Sequence, residues 1–359
     1  MTPVSSLQRA SAAHTASLVV GELADGDAAR WDRYVDSAAG ASLYHEHAWR
    51  SVVREVFGHD TIYLVAEERG NGIVGVLPLV RLNSRLFGDF LVSLPFFNRG
   101  GVVAESPGAA QELIAAATER ARDLGVAHME LRHVADVCPE WPQRVDKVAM
   151  VLALPESAEA LHQQLPSKLR SQIKRPLREG AACVSGGREL LDDFYLVFAR
   201  NMRDLGTPVY PKRFFAAILD RFARARLLVV RLANVPVAAG MVIGHRDTLE
   251  IPWASSLRSA NAIGVNMLLY WEALSYACGQ GYRWFDFGRS TPDSGTYRFK
   301  RQWGAQPLQL YWHYWMRDRK EPPRLNPSNP RYRLAVAAWQ RLPLPIANAL
   351  GPLIVRNLP

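Results

Sequence analysis

The amino-acid sequence predicts an α/β (α+β) fold made of two copies of one unit. Three observations carry this expectation. Short apolar strands alternate with stretches of helical periodicity. A strand–turn–strand pattern followed by a helix and a further strand occurs twice, over residues 61–132 and 226–288. The chain also has 359 residues, enough for two ordinary domains.

In chain order, residues 1–16 read as a loose tail. Apolar positions recur at helical spacing over Asp27–Ala39 and His47–Phe57. Thr61–Glu67 is an apolar strand, Asn71-Gly72 a hairpin turn, and Ile73–Val80 the return strand. Shorter strands are expected around 90–94 and 101–104. Ser106-Pro107 opens a helix, with a capping residue followed by proline at the first helical position. That helix runs to about Leu124, Gly125 ends it, and Val126–Arg132 is a strand. Next come a strand at Val148–Leu154, a helical region at Ser157–Gly180, and helices near 189–205 and 211–222.

The order then repeats. Arg226–Leu232 is a strand, Asn234-Val235-Pro236 a turn, and Val237–Gly244 and Thr248–Ala254 are strands. A polar loop (255–264) precedes a helix over Val265–Cys278, and Gly281 leads into the strand Tyr282–Phe287. The match is closest at the helix-to-strand joint. "DLGVAHMELR" lies against "GQGYRWFDFG", so Gly125 corresponds to Gly281 and Glu130 to Asp286. The expected units are residues 17–147, 148–320 and a tail, 321–359.

Lys and Arg exceed Asp and Glu by nine, which favours anionic partners without choosing among them. Cys138, Cys183 and Cys278 are far apart and show no metal-ligand spacing, so a reduced compartment and no metal are expected. His45 and His47 flank Glu46 and would share a face on a strand, but no third ligand is evident. There is no basic-then-apolar leader and no run of about 20 apolar residues, so the expected location is cytoplasmic. The tail "RYRLAVAAWQRLPLPIANALGPLIVRNLP" (331–359) mixes arginines, Trp339 and apolar residues. It suits either a peripheral contact with the inner membrane face or a strap over the core.

Three constellations bear on chemistry. In "PSKLRSQIKRPLREG" (166–180), Leu165, Leu169, Ile173 and Leu177 would line one helix face. Arg170, Lys174 and Arg178 line the next, with Lys168 and Arg175 beside them. This stripe suits either a row of phosphate oxygens or plain solvation, and Pro176 is expected to disturb the last turn. The loop Arg258–Asn266 ends at a helix start, where Gly264, Val265 and Asn266 offer backbone amides to an anion or simply cap the helix. In "FDFGRSTPDSGTYRFKRQWGA" (285–305), a strand end is followed by Arg289, Ser290, Thr291, Asp293, Tyr297 and Lys300, a placement common for sites in α/β folds. Asp286 is a candidate general base or a structural contact. Tyr210 and Trp253 either line a pocket or pack in the core.

The runs Gly288-Arg-Ser-Thr, Gly295-Thr-Tyr-Arg-Phe-Lys300 and Trp303-Gly304-Ala305 resemble the closing motif of FemAB-related proteins. "LPSKLRSQIKRPLREG", "YHEHAWR" (44–50), "FFNRGGV" (96–102) and "RDLGTPVYP" (203–211) are similar to other parts of that family, in particular the branch associated with exosortase/PEP-CTERM exopolysaccharide loci. The likeness spans about residues 30–320. It implies tandem GNAT-like domains, mixed sheets flanked by helices. It also implies transfer of an acyl or aminoacyl group from acyl-CoA or aminoacyl-tRNA, with no tightly bound cofactor. The acceptor would be a phosphorylated or lipid-linked glycan or peptide. By match, Lys300 stands at the transfer site. The long helical hairpin through which some members handle tRNA is missing here. No Ser-His-Asp or Cys-His arrangement is visible, so no covalent enzyme intermediate is expected. The rival reading is a non-catalytic module that binds a polysaccharide or lipid-linked precursor.

Overall fold

The N-terminal half starts from tight turns between long apolar strands. In the computed structural model, which describes residues 18–318, 321–322 and 330–359, β1 (Leu18–Glu22), α1 (Ala28–Ser37) and α2 (Ala48–Phe57) precede the hairpin of β2 (Asp60–Glu68) and β3 (Gly72–Ser84). The loose tail expected over 1–16 lies outside the described residues. β4 (Gly88–Val92), β5 (Val103–Ala104), α3 (Pro107–Asp123), β6 (His128–His133) and β7 (Gln143–Arg144) complete this half. The start of α3 is fixed as its sequence predicts: Pro107 is the first helical residue, and the Ser106 hydroxyl accepts the Ala109 N–H at 3.2 Å.

The second half comprises β8 (Val148–Ala153), α4 (Ala158–Gln164), α5 (Ser167–Arg178), β9 (Ala181–Gly186), α6 (Leu191–Leu205) and α7 (Lys212–Arg221). It continues with β10 (Ala225–Leu232), β11 (Val235–His245), β12 (Thr248–Ser256), α8 (Val265–Gly279), β13 (Trp284–Ser290), α9 (Gly295–Arg301) and β14 (Gln306–Gln309). β15 (Tyr311–Met316), α10 (Pro330–Gln340) and α11 (Leu344–Val355) end the chain.

The predicted duplication is visible in the ladders. The first sheet runs β1-β2-β3-β4-β6-β15-β7, with β5 on β3, and the second runs β14-β8-β13-β12-β11-β10-β9. In both, an antiparallel meander (β2-β3-β4, β10-β11-β12) is followed by a helix and a strand that pairs in parallel with the third member (β6 on β4, β13 on β12). Gly125 and Gly281 both take left-handed φ, 66° and 75°, to turn from helix to strand. The second half also lends a strand to the first: β15, inside the expected 148–320 unit, pairs with β6, while β8 stays in the second sheet between β13 and β14. Aromatic side chains from both halves, among them Trp49, Phe97, Phe214, Phe215 and Trp253, share one core.

Two local expectations change. The helix α5 runs through Pro176, which is itself buried, and the inward stripe is Leu165, Leu169, Ile173 and Pro176, while Leu177 faces out. Successive steps of four overshoot a 3.6-residue turn, so a step of three restores the stripe. β13 runs to Ser290, past the expected end at Phe287, and Gly295–Arg301 is helical. The tail packs as a strap: α10 and α11 lie on α6, the Arg356 guanidinium donates to Phe57 O at 2.5 Å, and the Arg356 carbonyl accepts from His59 Nε2 at 2.6 Å. Among the described residues no helix is long and apolar enough to cross a membrane.

Candidate active site

β12 and β13 pair only at Thr248–Glu250 with Trp284–Asp286, although both strands run on, to Ser256 and Ser290. The last parallel pair, Glu250 and Asp286, therefore sits where the two strands part. Buried polar groups gather there. Asp286 is 1% exposed. One of its oxygens pairs with Arg99 and the other accepts the Gly288 N–H at 2.7 Å. Tyr44 donates its hydroxyl proton to Glu250. Burial, with the Asp286 charge alongside, pushes the Glu250 carboxyl up to about 8.

Lys300, on α9, is buried and donates to Gly288 O at 3.0 Å and Arg289 O at 2.8 Å. Those carbonyls belong to the stretch of β13 that β12 has left. An ammonium has three protons, so one donor remains. Burial pulls the Lys300 ammonium down to about 8, against the opposing pull of Asp286 and Glu250. The Arg289 guanidinium stacks on Trp312 at 5.2 Å, and Arg132 lies over the same ring at 4.4 Å. Ser290 is buried, its Oγ without a hydrogen-bond partner among the described residues, and Thr291 Oγ1 accepts from Lys147 Nζ at 2.9 Å. Asp293 is exposed, in a left-handed turn, and Tyr297 packs against apolar residues of the second half, Val265 and Phe287 among that cluster.

The basic stripe faces solvent. Lys168, Lys174, Arg175 and Arg178 are exposed, Arg170 is half-buried, and none of them has an ion pair among the described residues. Arg175 lines a cavity of about 310 Å³ together with Gln172, Gly264, Asn266 and Met267. This cavity adjoins the start of α8, where the Val265 and Asn266 amides precede any helical acceptor, while the Met267 N–H already donates to Gly264 O at 2.9 Å. Gly264, at φ 81°, makes the turn into α8. Val265 turns its side chain into the core, so only its backbone N–H is on offer. Arg258 lies elsewhere, donating to Asp204 O at 2.6 Å and joining the loop to α6. Tyr210 and Trp253 sit in the shared aromatic core, ring centroids 6.3 Å apart.

Several residues of this site were not singled out in the sequence. Tyr44 and Arg99 lie inside two of the quoted motifs, and Glu250 carries no local signature. Arg99 follows a loop in which Leu94 and Phe96 take positive φ, 67° and 76°. His45 and His47 do not share a face: His45 Nε2 meets Gly101 O at 2.9 Å, whereas the His47 ring lies on Tyr63. Burial pulls His45 down to about 4.

Residues 167–301 match the acetyltransferase (GNAT) domain family. Among solved structures the chain is similar to FemX, at TM-score 0.64 and 13% identity, over 82% of this chain and 96% of that one. It is also similar to a tandem GNAT protein from the clavulanic acid biosynthesis pathway, at 0.54 and 12%, over 86% and 100%. The fold is that of a tandem GNAT protein. The C-terminal domain of an Agrobacterium fabrum protein assigned as a lysylphosphatidylglycerol synthetase shares this fold, at 0.54 and 13%, over 80% and 91%. No curated protein matches the chain by sequence. In the tandem GNAT fold seen here, the matched segment holds α5, the α8 start and the parted strands, whereas Arg99 and Tyr44 come from the other half.

Proposed function

We propose that this protein is an acyltransferase that moves an acyl or aminoacyl group from an anionic donor onto an amine or hydroxyl of a cell-envelope or exopolysaccharide precursor. The observation that carries the reading is the parting of β12 from β13 above a buried cluster of cations and carboxylates, with an anion-ready cavity at the α8 start. A donor phosphate would meet the α8 amides, Arg175 and the stripe of Lys168, Arg170 and Lys174. Its acyl group would enter between the strands. The carbonyl oxygen, gaining charge as the acceptor attacks, would meet the spare N–H of Lys300. Arg289, stacked on Trp312, is suited to an anionic group of the acceptor. The acceptor supplies the nucleophile, so no covalent enzyme intermediate is formed. Acyl-CoA fits the exposed basic stripe, and aminoacyl-tRNA is the other donor in view. Likeness to FemX supports the fold on which this chemistry rests.

Calorimetric titration with acetyl-CoA, CoA and an aminoacyl-tRNA tests the donor. Mass spectrometry of polysaccharide from parent and deletion strains tests the product. Donor binding together with a lost acyl mark in the deletion strain is the expected result. Glycan binding without any donor binding or turnover would sink the proposal in favour of a binding module.

A further inference from the structure

The C-terminal strap turns an apolar face to solvent. Its last helix, α11, has 12 residues, none of them charged, and Asn348 is its only polar side chain. One face is packed: Ala347, Gly351 and Val355 are buried, and Leu344 leans on the shared aromatic core. Gly351 makes the closest approach, since a Cβ there would lie 2.8 Å from Val209 N. The bonds of Arg356 to Phe57 O and His59 fix the far end, so the helix is held in one orientation. The opposite face carries Ile346, Ala349, Leu350 and Leu353 at helical spacing, and its three large side chains are between 43% and 62% exposed. On a helix facing water such positions are normally polar, so a continuous apolar stripe held outward marks a contact surface.

Charge around the stripe selects the partner. Arg341 precedes α11 and Arg356 follows it, and residues 330–359 hold the arginines Arg331, Arg333, Arg341 and Arg356 with no Asp or Glu. An apolar face with cations at both ends matches the boundary between acyl chains and anionic headgroups. There the stripe sinks into the apolar layer while the guanidinium groups stay among the phosphates. At about 1.5 Å per residue the helix is roughly 18 Å long, too short for a hydrocarbon layer of about 30 Å, so it lies in the surface plane. A second copy of the chain suits the face poorly. The strip measures about 18 Å by 10 Å, against the roughly 800 Å² per partner of a stable interface. Antiparallel pairing of two α11 helices would also set Arg341 of one copy beside Arg356 of the other, like charge against like.

We propose that the outer face of α11 docks this protein on an anionic lipid surface, with Ile346, Leu350 and Leu353 entering the acyl region and Arg341 and Arg356 meeting lipid phosphates. The contact goes beyond the acyltransferase reading and does not depend on it. Binding is reversible and salt-sensitive, because three large side chains supply limited apolar area and the cations provide the second attraction. Arg356 bonds Phe57 O through one terminal nitrogen, which leaves its other N–H groups for a phosphate.

Flotation of the full chain with vesicles tests the contact, using phosphatidylcholine alone and equal parts of phosphatidylcholine and phosphatidylglycerol. Binding is expected to the mixed vesicles and to fall as salt rises. Ile346→Gln with Leu353→Gln is expected to lower the vesicle partition coefficient at least about tenfold at an unchanged melting temperature, because both side chains are exposed. Arg341→Gln should lower it about fivefold. A polarity-sensitive dye attached to Leu350→Cys should shift to the blue with the mixed vesicles, with labelled wild type as the control for the half-buried Cys183. Equal partition of the Gln pair and the wild type overturns the proposal. So does a blue shift without vesicles accompanied by a doubled mass in ultracentrifugation, which would give the face to a second copy. Binding that survives the Gln pair and disappears with Lys168→Glu and Lys174→Glu would move the contact to the stripe on α5, and likewise overturn it.

Discussion

Lys300 serves two demands that pull against each other, since its ammonium binds two backbone carbonyls yet is the cation proposed to meet the substrate. Lys300→Ala is expected to cost about 10²–10³ in transfer rate; a variant that turns over like the wild type removes the residue from the mechanism. Glu250 and Lys300 also leave opposite marks on stability. Glu250 keeps its proton to about 8 in the fold but loses it near 4.5 when unfolded, so the folded state holds more protons between those values and stability falls as pH rises through them. Lys300 titrates near 8 folded and 10.5 unfolded, so the unfolded state holds more protons in that window and stability rises with pH. The difference in denaturant-unfolding stability between Glu250→Gln and the wild type isolates the first of these: it should move in the variant's favour as pH rises from about 4.5 to 8, and a pH-independent difference would contradict the Glu250 shift. Gly101 is packed against His133, which accepts the Val102 N–H at 3.0 Å, and a methyl there would collide with the ring and with Arg132 O. Gly101→Ala should destabilise by about 1–3 kcal/mol, read from the denaturation midpoint. Of the site's side chains, the sequence marks Lys300, Asp286 and Arg289 as candidates. Arg99 and Tyr44 lie in motif-like segments without being marked, because motif likeness does not say which side chain turns inward.

Elements were easier to read than residues wherever periodicity and punctuation agreed. Ser106-Pro107, Asn71-Gly72 and the Gly125 and Gly281 turns marked their boundaries because only certain residues satisfy those backbone states. Where the governing contact is remote, the reading fell short. β15 has an aromatic-rich sequence that becomes a strand by pairing with β6, and α5 tolerates Pro176 because that face is packed. The stripe on α5 leads to a direct test: Arg175→Glu with Lys174→Glu should weaken CoA binding at least tenfold and flatten its salt dependence, by titration calorimetry. On α11, Ile346, Leu350 and Leu353 are exposed on the outer side of the strap. Leu350→Glu should leave the melting temperature within about 2 °C, since a surface change shifts stability little, yet reduce co-sedimentation with anionic vesicles if that face meets a membrane; equal sedimentation of both proteins would reject the contact.

At the scale of the whole molecule, the loan of β15 to the first sheet leaves that sheet incomplete without the second half. Residues 18–147, expressed by themselves, would lose β15 and expose an edge of β6, and are expected to be insoluble or unfolded by circular dichroism, with co-expression of 148–359 restoring a folded complex. Independent folding of 18–147 would contradict this. The sequence by itself determined the two-unit plan, most element boundaries and the basic stripe, because periodicity, turn chemistry and charge are local properties of the chain. Tertiary structure alone decided the loan of β15 to the first sheet, the pairing of Arg99 with Asp286 and of Glu46 with His245, and the place where β12 and β13 part. Those depend on groups up to about two hundred residues apart being brought together, and the free energy of a buried charge depends on its neighbours rather than on its own position in the chain.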